Sequence, residues 1–142
     1  MRTLSQKLGV KAGMRSVLID APDGYPERLA DIDLKWAIPA AEDLDYIHAF
    51  VTRAEALDSV FSSFARRLST DGLMFISWPK SGQLGTDLNI KSVIEIGYNH
   101  GLVESTALSV DTVWSALKFT HPKRGKVYQN SYGTLSPDHR RR

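Results

Sequence analysis

The 142 residues include no cysteine. Disulfide staples, thiolate-held zinc, iron–sulfur clusters and thiol nucleophiles are therefore excluded. The four histidines are scattered without H-E-x-x-H spacing, so the chain carries no metal signature. No stretch approaches the ~20 apolar residues that span a bilayer. The basic start around Arg2 is not followed by the continuous apolar run and small-residue cleavage site of a secretory signal. A cytoplasmic protein without membrane contact is the expectation. G-x-S-x-G is also missing, and although Asp111 and Ser115 lie close in sequence, no histidine stands beside them as a base. On a strand Ser115 and Trp114 point to opposite faces, so Asp111 is read as a hairpin-turn residue rather than part of a nucleophilic site.

What the chain does have is the balance of one compact domain: 42% hydrophobic and 24% charged residues. At this length a fold buries roughly 65–70% of the surface its unfolded chain exposes, enough for a core that needs no staple. The formal net charge of +2 hides a lopsided distribution. Residues 1–15 hold four basic groups and no acidic one, residues 16–122 hold eight basic and fifteen acidic, and residues 123–142 hold six basic and one acidic. An acidic body lies between two basic ends. The body disfavours a nucleic-acid groove, so contact with nucleic acid is expected only through the tail, where Lys123, Arg124, Lys126 and Arg140 to Arg142 flank Tyr128 and Tyr132.

Periodicity orders the chain into alternating elements. An apolar run at 16–20 ends in the turn Ala21-Pro-Asp-Gly24 and reads as a buried strand. Pro26 and Glu27 suit the first turn of a helix near 25–30. Residues 34–38 form a weak strand stopped by Pro39, and 44–51, rich in β-favouring Tyr46, Ile47, Phe50 and Val51, form a clearer one. His48, mid-strand, is expected to be packed. Thr52 and Glu55 have capping-box spacing before a helix whose face is Leu57, Val60, Phe61, Phe64, Ala65 and Leu68. Asp71-Gly72 is expected to end it and turn the chain into a strand at 73–78, covered on both faces. A polar loop at 79–85, a helix from about 86 to 99, and a hairpin of 102–110 with 113–119 complete the pattern. The carboxylates at Asp31, Asp33, Glu42, Asp43 and Asp45 are expected to be solvated or to cap helices. Beyond Pro122 periodicity fails, giving one domain over 1–122 and a basic, disordered tail over 123–142. This order predicts an α/β three-layer, mostly parallel sheet with an antiparallel C-terminal hairpin.

Three segments, Gly13-Met-Arg-Ser-Val-Leu-Ile-Asp-Ala-Pro-Asp-Gly24, Asp71-Gly-Leu-Met-Phe-Ile-Ser-Trp-Pro-Lys80 and Asp111-Thr-Val-Trp-Ser-Ala-Leu-Lys-Phe119, resemble the signatures of a small bacterial family of unknown function. Its members resemble a shortened class I methyltransferase, which implies a truncated Rossmann-like domain and S-adenosylmethionine as the cofactor. The departures point the other way. The glycine-rich loop that lets the cofactor approach is replaced by Ala21-Pro-Asp-Gly-Tyr25, no carboxylate closes the strand at 34–38, and the chain before residue 44 is too short for the usual extra strand and two full helices.

Ligands of open α/β sheets bind beyond the carboxyl ends of the strands where the strand order reverses. Under the methyltransferase-like order this places Asp20, Pro22, Asp23, Gly24 and Tyr25 beside the end of the 44–51 strand, with Ser77, Trp78 and Lys80 next along. Asp23 and the amides near Gly24 suit a polar ligand, Tyr25 a ring, and Lys80 a phosphate or carboxylate; a plain P-D-G turn accounts for the same residues. Trp78 reads either as the floor of a groove or as a seal on the core edge. The expectation is a non-catalytic binding or regulatory domain for a small molecule or a protein partner; the alternative is a methyltransferase acting on a small substrate.

Overall fold

The computed structural model describes residues 2–38 and 40–123, and the backbone of 128–130 and 133–135. Six strands form the main sheet: β1 (Arg15–Ile19), β2 (Lys35–Trp36), β3 (Leu44–Phe50), β4 (Leu68–Pro79), β5 (Val103–Ser109) and β6 (Trp114–Thr120). Their spatial order is β2-β1-β3-β4-β6-β5. β1 to β4 run parallel, and β6 is antiparallel to both neighbours. Short connections explain the exception, because the link between β5 and β6 is too short for a crossover and must fold back as a hairpin. The order reverses between β1 and β3, which makes their carboxyl ends the switch point of the sheet.

Side chains alternate across the sheet and build two cores. On one face Ile47, Ala49, Met74, Ile76 and Phe119 pack under α2 (Ala54–Phe64) and α3 (Ile90–Asn99). On the other, Tyr46, Phe50, Phe75 and Ala116 are covered by α1 (Leu4–Leu8), the chain at Val10 and the 3₁₀ turn Pro26–Leu29. The layers and the hairpin are those expected. So is the truncation, since only that turn and the two-residue β2 separate β1 from β3.

Three local expectations are corrected. The Thr52–Glu55 capping box does not form: Arg53 is the N-cap and offers no side-chain hydrogen bond. Asp87, from the segment before α3, takes over, accepting from the Ala54 amide at 2.8 Å and pairing with Arg53 at 3.4 Å. A carboxylate at the positive end of α2 satisfies the same orphan donors that a local cap would. Asp71-Gly72 does not turn the chain. The helix ends earlier, in the 3₁₀ turn Ala65–Arg67, and both residues lie inside β4, in a bulge where its pairing with β3 jumps from Leu68 to Leu73. Gly72 suits the bulge because a Cβ there would lie 2.6 Å from Leu68 Cδ1 and 3.0 Å from the Leu44 carbonyl. Asp45, expected to be solvated or to cap a helix, binds the bulge from inside β3, accepting from Ser69 Oγ at 2.8 Å and from the Arg15 amide at 3.0 Å.

Two elements were not anticipated. α1 begins with a capping box of Thr3 and Gln6 and buries Leu4 and Leu8. In the segment read as aperiodic, β7 (Tyr128–Asn130) and β8 (Gly133–Leu135) pair antiparallel, with β8 beside α3. The remainder of the basic tail proposed for an acidic partner lies outside the described residues.

The helical layer meets the sheet tightly at Gly97, where a Cβ would stand 2.2 Å from Phe119 Cε1. Gly97→Ala must displace a fully buried ring, and overpacking of this kind costs about 1–3 kcal/mol. Thermal denaturation is expected to show a Tm lowered by roughly 4–12 °C, with Phe119→Leu recovering part of the loss in a double-mutant cycle. Additive losses would show that the two positions do not meet.

Candidate functional site

β1 ends at the switch point with Asp20 in the left-handed region, φ 56°. Aspartate tolerates this conformation better than most side chains, and it redirects the chain into the turn at 21–24. The Tyr25 amide closes that turn on the Pro22 carbonyl at 3.1 Å. Gly24 takes φ 85°, and a Cβ there would touch nothing within 4 Å, so the position asks for glycine because of its backbone angle. Asp20, Asp23 and Gly24 are exposed, and Pro22 is half-buried.

Tyr25 departs from this surface group. Its side chain turns inward and is 2% exposed, with its ring edge-on to Phe50 at 4.8 Å and to His48 at 5.2 Å. The ring expected to stack on a ligand packs edge-on against the protein's own rings. Its hydroxyl lies 2.9 Å from His48 Nδ1 and 3.1 Å from the Tyr46 hydroxyl, which is itself 2.7 Å from the same nitrogen. On the far side of the imidazole, Nε2 meets Ser77 Oγ at 2.7 Å. Tyr25 and Ser77, both anticipated as site residues, are therefore joined through His48, a residue read only as packed. Either tautomer of the neutral imidazole completes this chain of hydroxyls. Burial alone takes the His48 pKa down to about 3, and burial raises Tyr25 to about 12 and Tyr46 well above its usual value. At neutral pH the network is uncharged.

Ser77 and Trp78 are neighbours on β4 and so face opposite sides of the sheet. Ser77 joins the tyrosines, while Trp78 lies on the helix-covered face and floors a groove of about 580 Å³ with Leu88. Ile90 forms its exposed apolar rim, and Ser109 and Ser115 add hydroxyls. Lys80, half-buried at the mouth, donates to Ser109 Oγ and to the Asp111 carbonyl. The Asp111 carboxylate is occupied elsewhere, accepting from the Val113 and Trp114 amides at 2.8 Å, as a hairpin-turn aspartate does. The expected crevice is thus two places: a turn at the switch point bearing Asp20 and Asp23, and a groove one strand further along holding Trp78 and Lys80. Period-two alternation carried the signal that Ser77 and Trp78 part ways. The contributions of Leu88 and Ile90 needed the strand order.

The switch-point residues do not fit S-adenosylmethionine. The turn after β1 has one glycine, in open space, with Pro22 beside it and the Tyr25 ring below. β2 ends in Trp36, followed by Ala37 and Ile38, and supplies no carboxylate for a ribose.

The buried imidazole makes stability depend on pH. Between its usual 6.5 and about 3, the unfolded chain binds a proton that the folded chain refuses. Stability therefore falls as pH drops through that window, at up to about 1.4 kcal/mol per pH unit. Tyr25 works in the opposite direction: its folded pKa is raised, so its contribution is present below 10 and is lost as pH rises towards 12. Denaturant titrations over pH 3–7 are expected to show a shallower acid slope for His48→Gln, and a loss of about 1–3 kcal/mol at neutral pH from hydroxyls left unpaired. An unchanged slope would mean that His48 is not shielded from solvent protons.

No protein-family profile matches the chain, and no curated protein matches it in sequence. Among solved structures it is similar to a putative type 11 methyltransferase from Sulfolobus solfataricus, with TM-score 0.59 and 13% identity over 92% of this chain and 95% of that one. It is also similar to a SAM-dependent methyltransferase from Aquifex aeolicus, with TM-score 0.53 and 12% identity over 80% of this chain and 85% of that one. A third likeness is to a precorrin-6y C5,15-methyltransferase from Geobacter metallireducens, with TM-score 0.51 and 12% identity over 82% and 84% of the two chains. At such identities the likeness is one of architecture, and the chain has the Rossmann-like fold of the methyltransferases.

Proposed function

We propose that this chain is a non-catalytic, methyltransferase-like domain of the cytoplasm that binds a small molecule along the carboxyl ends of its strands and acts through that ligand or a protein partner. The kinship of its three segments with a small bacterial family belongs to the same reading. One observation carries it: Tyr25 is turned inward and held by His48, so the chain after β1 is a pinned proline–aspartate–glycine turn where a cofactor would need open backbone. The buried acid–base side chains of the network, His48, Tyr25 and Tyr46, are neutral at pH 7, which leaves the exposed Asp20 and Asp23 as binding groups. The second reading, methyl transfer from S-adenosylmethionine to a small substrate, is favoured by the sheet order and by the activity named for the Aquifex aeolicus neighbour.

Titration calorimetry separates the two. The first reading expects no heat with S-adenosylmethionine, and native mass spectrometry of the freshly purified protein to show a retained small molecule. Asp20→Asn combined with Asp23→Asn, which keeps both backbone conformations, is expected to reduce that retained fraction about tenfold, the loss of roughly one charge-assisted contact. Micromolar binding of S-adenosylmethionine, abolished by changing Asp23 or Gly24, would replace the first reading with the second.

A further inference from the structure

We infer that the groove between β4, β6 and the start of α3 binds a small organic monoanion with an apolar body, its charged head on the Lys80 ammonium. The inference rests on the reading that the strand ends bind a small molecule, and adds a place apart from Asp20 and Asp23 and the class of molecule it takes.

The charge argument comes first. Lys80 is in no ion pair among the described residues, and no carboxylate lines the groove. Two of its three N–H bonds go to Ser109 Oγ and the Asp111 carbonyl, both neutral oxygens. These partners orient the ammonium without cancelling its charge. A cation aimed in this way, half-buried against apolar surface, interacts with an anion more strongly than a lysine surrounded by water does.

Shape and polarity fix the rest of the ligand. The volume of about 580 Å³ lies within the range of small-molecule sites. The indole of Trp78 and the side chains of Leu88 and Ile90 offer an apolar bed for a flat or branched hydrocarbon. The Asn89 side-chain oxygen is already engaged, capping α3 by accepting from the Ser92 amide at 2.9 Å. Polyanions are disfavoured by the field of the body, which carries eight basic and fifteen acidic groups over residues 16–122. A single negative charge matched to a single lysine is what remains, as a carboxylate or a sulfonate.

The test uses the full chain with 2-naphthoate and 2-naphthalenesulfonate as probes, and 2-naphthalenemethanol as the uncharged isostere. Calorimetry gives affinity, and the Trp78 indole N–H resonance reports location. Both anions are expected to bind and to move that resonance, with the alcohol weaker by about tenfold or more. The tighter of the two anions identifies the head group. Lys80→Met is expected to lose about tenfold for the anions and little for the alcohol, whereas Lys91→Met, which removes an exposed charge on α3, should change neither. Ala107→Phe, at the exposed edge of the groove, blocks all three. Equal affinity for anion and alcohol, an unmoved Trp78 resonance, or unaltered binding in Lys80→Met would overturn the inference. None of these outcomes touches retention of a ligand by Asp20 and Asp23, so failure here is distinguishable from failure of the broader reading.

Discussion

The imidazole of His48 is the point on which this fold turns. It lies at the middle of the central strand, fully buried, with a hydrogen-bonding group at each nitrogen. Without those partners, three hydroxyls and a ring would be desolvated for nothing, a penalty that a 142-residue domain could not carry lightly. With them, the polar groups specify register: Tyr46 and His48 must be two residues apart on β3, Ser77 must face them from β4, and Tyr25 must arrive from the turn after β1. One interaction thereby links three segments that are far apart in sequence, and brings the turn at the switch point into the core.

That link also explains how one methyltransferase-type sheet is covered so unequally. The α2 and α3 face has two amphipathic helices. The other face has only the five-residue α1 and a 3₁₀ turn, and the rings of Tyr25, Tyr46, Phe50 and Phe75 supply the bulk that helices would otherwise provide. Aromatic side chains bury large areas from short stretches of chain. The shortened region before β3 is therefore compatible with a closed core, although it leaves little backbone to surround a large cofactor.

Much of this was legible in the residues. The recurrence of Leu57, Phe61 and Ala65 marked α2, the β-favouring run at Tyr46 to Phe50 marked the central strand, and Asp111 marked the hairpin, because in each case local chemistry and tertiary structure agree. Where they disagree, the reading failed for identifiable reasons. Asp71-Gly72 has turn chemistry, yet strand pairing absorbs it as a bulge. Thr52 has cap chemistry, yet a carboxylate 33 residues away reaches the amide that matters. The Thr3–Gln6 box was in plain sight, but the helix it starts is too short to show a period. The candidate site divided for the simplest reason. Contiguous residues on a strand belong to different faces, and only the strand order tells which neighbours each face acquires.

Asp87 joins two segments that lie far apart in the chain. Its carboxylate holds the first amide of α2 and the Arg53 guanidinium, its own amide bonds to the Thr52 carbonyl at 3.3 Å, and the next residue, Leu88, floors the groove. The link after β3 and the wall of the groove are thus tied through one residue, so the carboxylate that caps α2 also fixes where the apolar wall of the groove begins.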